Sequence, residues 1–438
     1  MGDSKAPRLD VAIVGGGIIG VMTAIGLLHR HMNVTIYERA AAWHEIGAGF
    51  GFTGIARECM RRLDPALLDT LSRISQKTSS SANTRYWDAF HPRTKQDAQQ
   101  EASALLFQMP EAHLAFWGAV RSHLLLAMAA LLPEGVVRFE KQLVGYGDEP
   151  GSDKVVLRFA DGTVADAHVL IGCDGIHSTT RQLLLGPDHP ASRPSFTHTV
   201  AYRTMVPMAA GVEALGENKA LSACMHCAPN VNMMSYPVMN GTFLNIAVFA
   251  HESSGFSDTD TMTAPATRDE VSRVAGLSPH MADMAQLFPE KLIKWGIFDM
   301  CENPAPTYAR GLVCIAGDAA HSSSPHQGVG ACMGVEDALV LCEVLAEAND
   351  KLSSESSQTT NRLALERALQ AYSSVRMERS QWLVRSSREM GEMYQWRYGP
   401  TGRDAERCQA KLAKASRKLW DFSVDEMVLD ARKRATAL

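Results

Sequence analysis

A chain of 438 residues, 46% hydrophobic and 21% charged, has enough apolar material for two or three domains with cores of their own. A net charge of −5 gives no general reason to expect nucleic acid or an anionic membrane as partner, and there is no apolar run of about 18 residues to span a bilayer. Nine cysteines at this length do not make a disulfide scaffold, and the polar N-terminus (MGDSKAPR, with Ala6 where myristoylation needs Ser or Thr) carries no signal core, so a cytoplasmic protein is expected.

Leu9 to Val14 (LDVAIV) reads as a strand buried on both faces. Gly15, Gly17 and Gly20 follow at GxGxxG spacing, and a helix runs from Ile18 to about Arg30. At that spacing the first glycine permits the turn and the second lets backbone approach a pyrophosphate. The third allows the helix to pack closely on the strand. A second strand, Asn33–Tyr37, ends at Glu38, 18 residues after Gly20, with Arg39 beside it as a further candidate contact. A carboxylate there accepts hydrogen bonds from adenosine ribose hydroxyls and disfavours a 2′-phosphate, so the nucleotide is FAD or NAD rather than NADP.

Residues 76–103 are polar and turn-rich. A strand over Ala167–Cys173 runs into Asp174-Gly175, followed by Ser178 and Arg181. Residues 195–298 alternate apolar and polar side chains, as in THTVAYRTMVPM and GTFLNIAVFA, which predicts a largely antiparallel sheet with one covered face. Within it Cys224 and Cys227 imitate a metal spacing, but no second CxxC or HxxxH accompanies them and no metal is expected. Asp258–Thr267 reads as an exposed loop. A third strand, Gly311–Ala316, leads to Gly317, Asp318 and His321, then to Pro325, Gly328, Gly330 and a helix from about Ala331. Helices are expected over Met333–Ala348 and Asn361–Ser387, joined by a polar linker at 352–360, and one or two amphipathic helices over 401–438. Three glycine turns after apolar strands (11–20, 170–181 and 312–330) point to one extended cofactor held by separate pieces of backbone, and FAD is the best fit. Asp318 is placed to accept from a ribityl hydroxyl. The N–H groups at Gly330 and Ala331, opening the next helix, face the flavin pyrimidine edge.

With GGGIIG and Glu38, the EIGAG turn at 45–49, Arg121 in AVRSHLL, CDGIHSTTR and GDAAHSSSPHQGVG in view, the chain resembles the single-component FAD-dependent aromatic hydroxylases related to para-hydroxybenzoate and salicylate hydroxylases. The resemblance implies an α/β fold, α+β overall. A Rossmann-type FAD-binding domain (1–75, 104–190 and 300–345) is joined to a mixed, largely antiparallel substrate-binding sheet (76–103 and 191–299) and C-terminal helices (346–438). It implies non-covalent FAD contacts at Gly49, Arg121, Asp174 and Asp318, and, with no second GxGxxG, NADPH or NADH as a transient reductant. Cys332 and Met333 stand where an Asn is often found.

The implied reaction is hydroxylation of a phenol by O₂ through a C4a-hydroperoxide of reduced FAD, with no protein nucleophile. The site must then lower the phenol pKa, orient the ring and exclude water. Arg203 in TVAYRTMVP and Tyr236 in NMMSYPV are the candidate phenolate-binding pair, resembling the pair in fungal enzymes that dearomatise resorcinol polyketides. Read from pattern alone, Arg203 could equally be an edge-strand surface residue and Tyr236 a half-buried sheet tyrosine. Phe116 and Trp117 occupy the stretch where some members carry a tyrosine anchor, so they are read as pocket walls, with Pro325, and not as the anchor. His321 is read as a packing residue. A salicylate-type hydroxylase, an FAD oxidase or dehydrogenase without oxygen insertion, and an NAD-sensing module are the competing functions. Substrate identity and oligomeric state are left open by the sequence.

Overall fold

The run VAIV has no side chain that gains from solvent, so it forms a central strand. In the computed structural model, which describes residues 9–43, 49–77, 83–90, 105–110, 116–148, 152–275, 279–351 and 358–437, that strand is Asp10–Val14. It lies between Val169–Gly172 and Asn33–Tyr37 in a six-stranded sheet, parallel to both. Val313–Ile315 adds in parallel beyond Val169–Gly172 and Val137–Arg138 beyond Asn33–Tyr37, with Ala309–Arg310 closing one edge antiparallel. Helices Ile18–His29, Gly54–Leu63 and Gly330–Lys351 share one core with this sheet. Gly26 makes their approach possible, since a Cβ there would sit 2.6 Å from Leu63 and 2.8 Å from Cys342. A three-stranded meander (Leu143–Asp148, Val155–Phe159, Val164–Ala167) joins the same core, Phe159 meeting Tyr37 at 4.7 Å between ring centres.

The alternating region forms an eight-stranded sheet, in the order Thr263–Thr267, Lys291–Asp299, Ser195–Pro207, Phe243–His251, Val231–Val238, Cys224–Ala228, Asn83–Asp88 and Leu105–Pro110. All neighbours are antiparallel except Cys224–Ala228 with Asn83–Asp88. Its outer face (Val200, Tyr202, Val206, Leu244, Ile246 and Val248) is covered by helices Met208–Leu215, Arg268–Ala275 and Pro279–Ala285. Two segments differ from the sequence reading. Thr263–Thr267 is an edge strand, not a loop; Pro265 is tolerated there because an edge strand leaves one side of its backbone unpaired. Leu105–Pro110, expected with the nucleotide segments, pairs with Asn83–Asp88 because Phe107 stacks on Tyr86 at 4.5 Å. The four residues 45–48 of the EIGAG turn, most of 76–103 and most of the 352–360 linker lie outside the described residues.

Helix Gln358–Tyr394, longer than its sequence signal, braces the two sheets. Tyr372 Oη donates to Ile315 O (2.8 Å) in the first sheet, while Met390, Met393 and Tyr394 pack on Tyr86, Phe107 and Met225 in the second. Gln395, just past its end, donates to Asn232 Oδ1 (3.2 Å) and Phe249 O (3.3 Å). Helices Ala405–Trp420 and Val424–Thr436 complete the chain, capped by Asp404 and Ser423. Among the described residues, no helix is long and apolar enough to cross a membrane.

Candidate active site

Parallel pairing brings the three glycine turns to one edge. Val14 lies opposite Gly172, and Gly172 opposite Ile315, so three strands end side by side where α/β sheets bind ligands. Gly15 (φ +106°) presses the first turn on the second: a Cβ there would lie 2.4 Å from Cys173 O. A Cβ on Gly20 would lie 2.0 Å from Gly15 O, so the third glycine sets the helix on the turn. Gly17 caps helix Ile18–His29 with no side-chain bond and no acid in the first turn, leaving its positive end open to a phosphate. Glu38 accepts from Gly16 N–H (2.6 Å) and Ala40 N–H (2.8 Å), and each oxygen keeps a lone pair for a ligand hydroxyl. Arg39 is exposed beside it and reaches the second turn electrostatically: His177 is lowered first by burial and then by the Arg39 charge.

Asp174 holds its own turn, accepting from Ser178 Oγ (2.5 Å), Thr180 N–H (2.9 Å) and Thr180 Oγ1 (3.0 Å). Arg181 ties that turn to the third. Fully buried, it donates to Ile176 O (2.5 Å), Ser192 O (3.2 Å) and Ala319 O (2.9 Å). Burial draws its guanidinium down to about 10 against the opposing charges of Asp174 and Asp318. At the third turn Gly317 (φ +62°) sends the Asp318 side chain outward, exposed and with no hydrogen-bond partner among the described residues. Beneath it Asp337 accepts from Gly317 N–H (2.9 Å), pairs with His321 Nε2 (2.5 Å) and takes Arg376 Nε (2.8 Å). Burial would raise the Asp337 carboxyl, but His321 and Arg376 override it and hold it at about 2. His321 is thus a buried support for the turn. Pro325–Gln327 forms a short helical turn, Gly328 is left-handed (φ +68°), and Gly330 and Ala331 open the next helix.

Gly49 and Arg121 are neighbours in space. Phe50–Phe52 pairs with Trp117–Ala119, a Cβ on Gly49 would lie 2.7 Å from Ala119 O, and Arg121 begins helix Arg121–Ala129. Phe116 lies on Gly51 and meets Trp420 edge-on at 5.7 Å, while Trp117 carries Arg57 4.6 Å above its ring.

Arg203 and Tyr236 come together. Arg203 is opposite Ala247 and Tyr236 opposite Asn245, on strands flanking Phe243–His251, so both point from the inner face. Each feels the other's charge. Burial lowers the Arg203 guanidinium and raises the Tyr236 phenol, and in each case the partner opposes the shift. The Arg203 side chain is nonetheless solvent-accessible, whereas Ala201, Ala247 and Phe249 beside it are buried. It therefore stands at an opening in a close-packed wall. Phe249 touches His326 of the PHQG turn at 4.9 Å, which sets Arg203, opposite Ala247, about 7 Å and Tyr236, opposite Asn245, about 14 Å along the strand from the third turn.

Sequence reasoning missed three features. Arg376 pairs with Asp337 39 positions away, and no local pattern marks it. His326, lowered to about 4 by burial and then by Arg388, was hidden inside a motif read for its glycines. Asn245 was signalled by a polar residue at an inward position of an apolar strand. The two CMHC thiols, three apart on a strand, face opposite sides and cannot share a ligand.

Residues 8–385 match the family model described as an FAD binding domain. An FAD-dependent monooxygenase of Aspergillus terreus is 53% identical over 431 residues, 98% of this chain and 97% of its own. Salicylate hydroxylase asL1 of Sarocladium schorii is 39% identical over 98% of this chain and 91% of its own. A solved salicylate hydroxylase substrate complex superposes with a TM-score of 0.82 at 28% identity, covering 98% of this chain and 99% of that one. The uncapped helix at Gly17, the Glu38 carboxylate and the exposed Asp318 carboxylate, with no hydrogen bond to the described residues, suit the phosphates and hydroxyls of that cofactor. The chain belongs to the FAD binding domain family and is an FAD-dependent monooxygenase that draws its electrons from NAD(P)H.

Proposed function

We propose that the chain hydroxylates the ring of a phenol bound as its phenolate, the substrate being a phenolic polyketide such as a substituted resorcinol aldehyde or ketone. One observation carries this: Arg203 and Tyr236 share the inner face of the sheet beside the PHQG turn. In this reading Gly15, Gly17 and Gly20 take the pyrophosphate, Glu38 and Arg39 the adenosine end, and Asp318 the ribityl chain. Gly49, Arg121, Asp174, Gly330 and Ala331 shape the rest of the cofactor's bed. Reduced by NAD(P)H, FAD supplies one oxygen atom of O₂, the other leaving as water.

The chain's own residues prepare the ring. Arg203 stays cationic and favours the phenolate, while Tyr236 stays protonated and donates to the same oxygen. Charge pushed into the ring makes the ortho and para carbons nucleophilic. Where such a carbon already bears a substituent, it has no proton to lose and a dienone results. The apolar wall of Ala201, Ala247, Phe249 and Ile297 excludes water from the reacting centre.

The test is incubation with NADPH, O₂ and alkylated resorcinol aldehydes. Gain of one oxygen, labelled from ¹⁸O₂, is expected; NADPH oxidation without labelled product refutes the proposal. A second reading, salicylate-type hydroxylation, is favoured by the salicylate hydroxylase likenesses, and Arg203 could equally bind a carboxylate. Release of labelled CO₂ from carboxyl-labelled salicylate would select it.

A further inference from the structure

Beyond the Arg203–Tyr236 pair, the inner face changes character in order along the strands. Arg203, Met205 and Pro207 follow each other on one strand, all accessible. Asn245 and Phe243 stand on the next, and Tyr236 and Val238 on the third. Asn245 is the centre of this patch. It lies directly opposite Met205 on one side and Tyr236 on the other, and one inward position from Ala247, Arg203's own opposite. Directly opposite residues are about 5 Å apart, so the three polar groups sit within reach of one aromatic ring. The Asn245 amide is half-buried and makes no hydrogen bond to the described residues. A primary amide in an otherwise apolar stretch (FLNIAVFAH) is unfavourable unless it is satisfied from outside the fold. Past it the surface is apolar: Met205 is 52% exposed and Phe243 and Val238 flank it.

Resting on the phenol-hydroxylase reading, we propose that Asn245 hydrogen-bonds a second oxygen of the substrate, the carbonyl of a formyl or acyl substituent on the ring. That bond fixes which ring carbon faces the cofactor, and the substrate's apolar tail leaves over Met205 and Phe243. Arg203 and Tyr236 hold one oxygen and leave the ring free to rotate about it; a second polar contact removes that freedom. Asn245 is a positioning residue. It touches neither the phenolate oxygen nor the carbon that reacts.

The test compares orsellinaldehyde with orcinol, the same ring without the formyl group, on wild type and on the Asn245→Leu and Asn245→Gln variants. Asn245→Leu is expected to raise KM for orsellinaldehyde about tenfold, as loss of one hydrogen bond does, to divert more NADPH oxidation to H₂O₂, and to leave KM for orcinol unchanged. Asn245→Gln is expected to recover part of the loss. FAD content should match wild type in both, as a check that each variant is folded. An equal change with both phenols, or none with either, overturns the assignment while the phenol-hydroxylase reading stands. Failure of wild type to oxygenate either phenol overturns that reading and the Asn245 role with it.

Discussion

Gly20→Ala tests whether the first turn is held as described. The added Cβ would lie 2.0 Å from Gly15 O, short of ordinary contact by about 1.5 Å. No rotamer relieves it, because both atoms belong to backbone. Gly15 cannot retreat: its N–H is bonded to Tyr37 O at 2.9 Å, and it already presses on Cys173 O. Helix Ile18–His29 must therefore back away from the strand, disturbing Val21, Met22 and Ala24, all fully buried. Overpacking of a core costs about 1–3 kcal/mol, and a backbone clash belongs at the upper end. If the strain is released by opening the turn, about 3 kcal/mol is roughly a hundredfold in FAD affinity. The assay is bound flavin per chain after desalting, with thermal melts in the presence and absence of added FAD. Gly162→Ala is the control. Gly162 is left-handed (φ +81°) with nothing within 4 Å of a Cβ, so the variant should lose about 1 kcal/mol and no flavin. A Gly20→Ala protein that keeps a full complement of flavin and melts with wild type refutes the close-approach argument.

The parts legible in the sequence are those whose cause is local. LDVAIV, NVTIY and the strand before Gly317 announce themselves by apolar content and end at turns that need glycine, and the structure ends each within a residue or two of the reading. Parity alone placed Arg203 and Tyr236 on sheet strands. Their sharing a face required the register through Phe243–His251, which no single strand encodes. Leu105–Pro110 and Thr263–Thr267 failed for the same reason: each becomes a strand only because a partner remote in sequence accepts it. Helix Gln358–Tyr394 was recognisable as a helix, but its role as brace depends on Tyr372, Tyr394 and the adjoining Gln395 meeting two different sheets.

Arg203→Ala should leave FAD bound and cut oxygen transfer to the phenol by about a hundredfold, the effect of losing one charge-stabilising donor; unchanged product formation removes Arg203 from the mechanism. Arg181→Met should strip the donor from the carbonyls of Ile176, Ser192, Asp318 and Ala319, lowering stability by about 3 kcal/mol and loosening flavin retention with it; a stable variant lacking FAD would separate the two effects. Asp337→Asn addresses the support under the third turn. The Asp337 carboxyl, ordinarily near 3.8, is held at about 2 in the folded chain, worth about 2 kcal/mol. A depressed carboxyl contributes this in full above its unfolded pKa and loses it as pH falls through the folded one. Breaking a buried pair at neutral pH costs about 3 kcal/mol or more. The urea midpoints of wild type and Asp337→Asn should therefore lie well apart at pH 7 and converge between about pH 4 and pH 2 as wild type protonates. A gap of constant width across that window would mean that Asp337 is not held ionised by His321 and Arg376, and the buried network would lose its part in fixing Gly317.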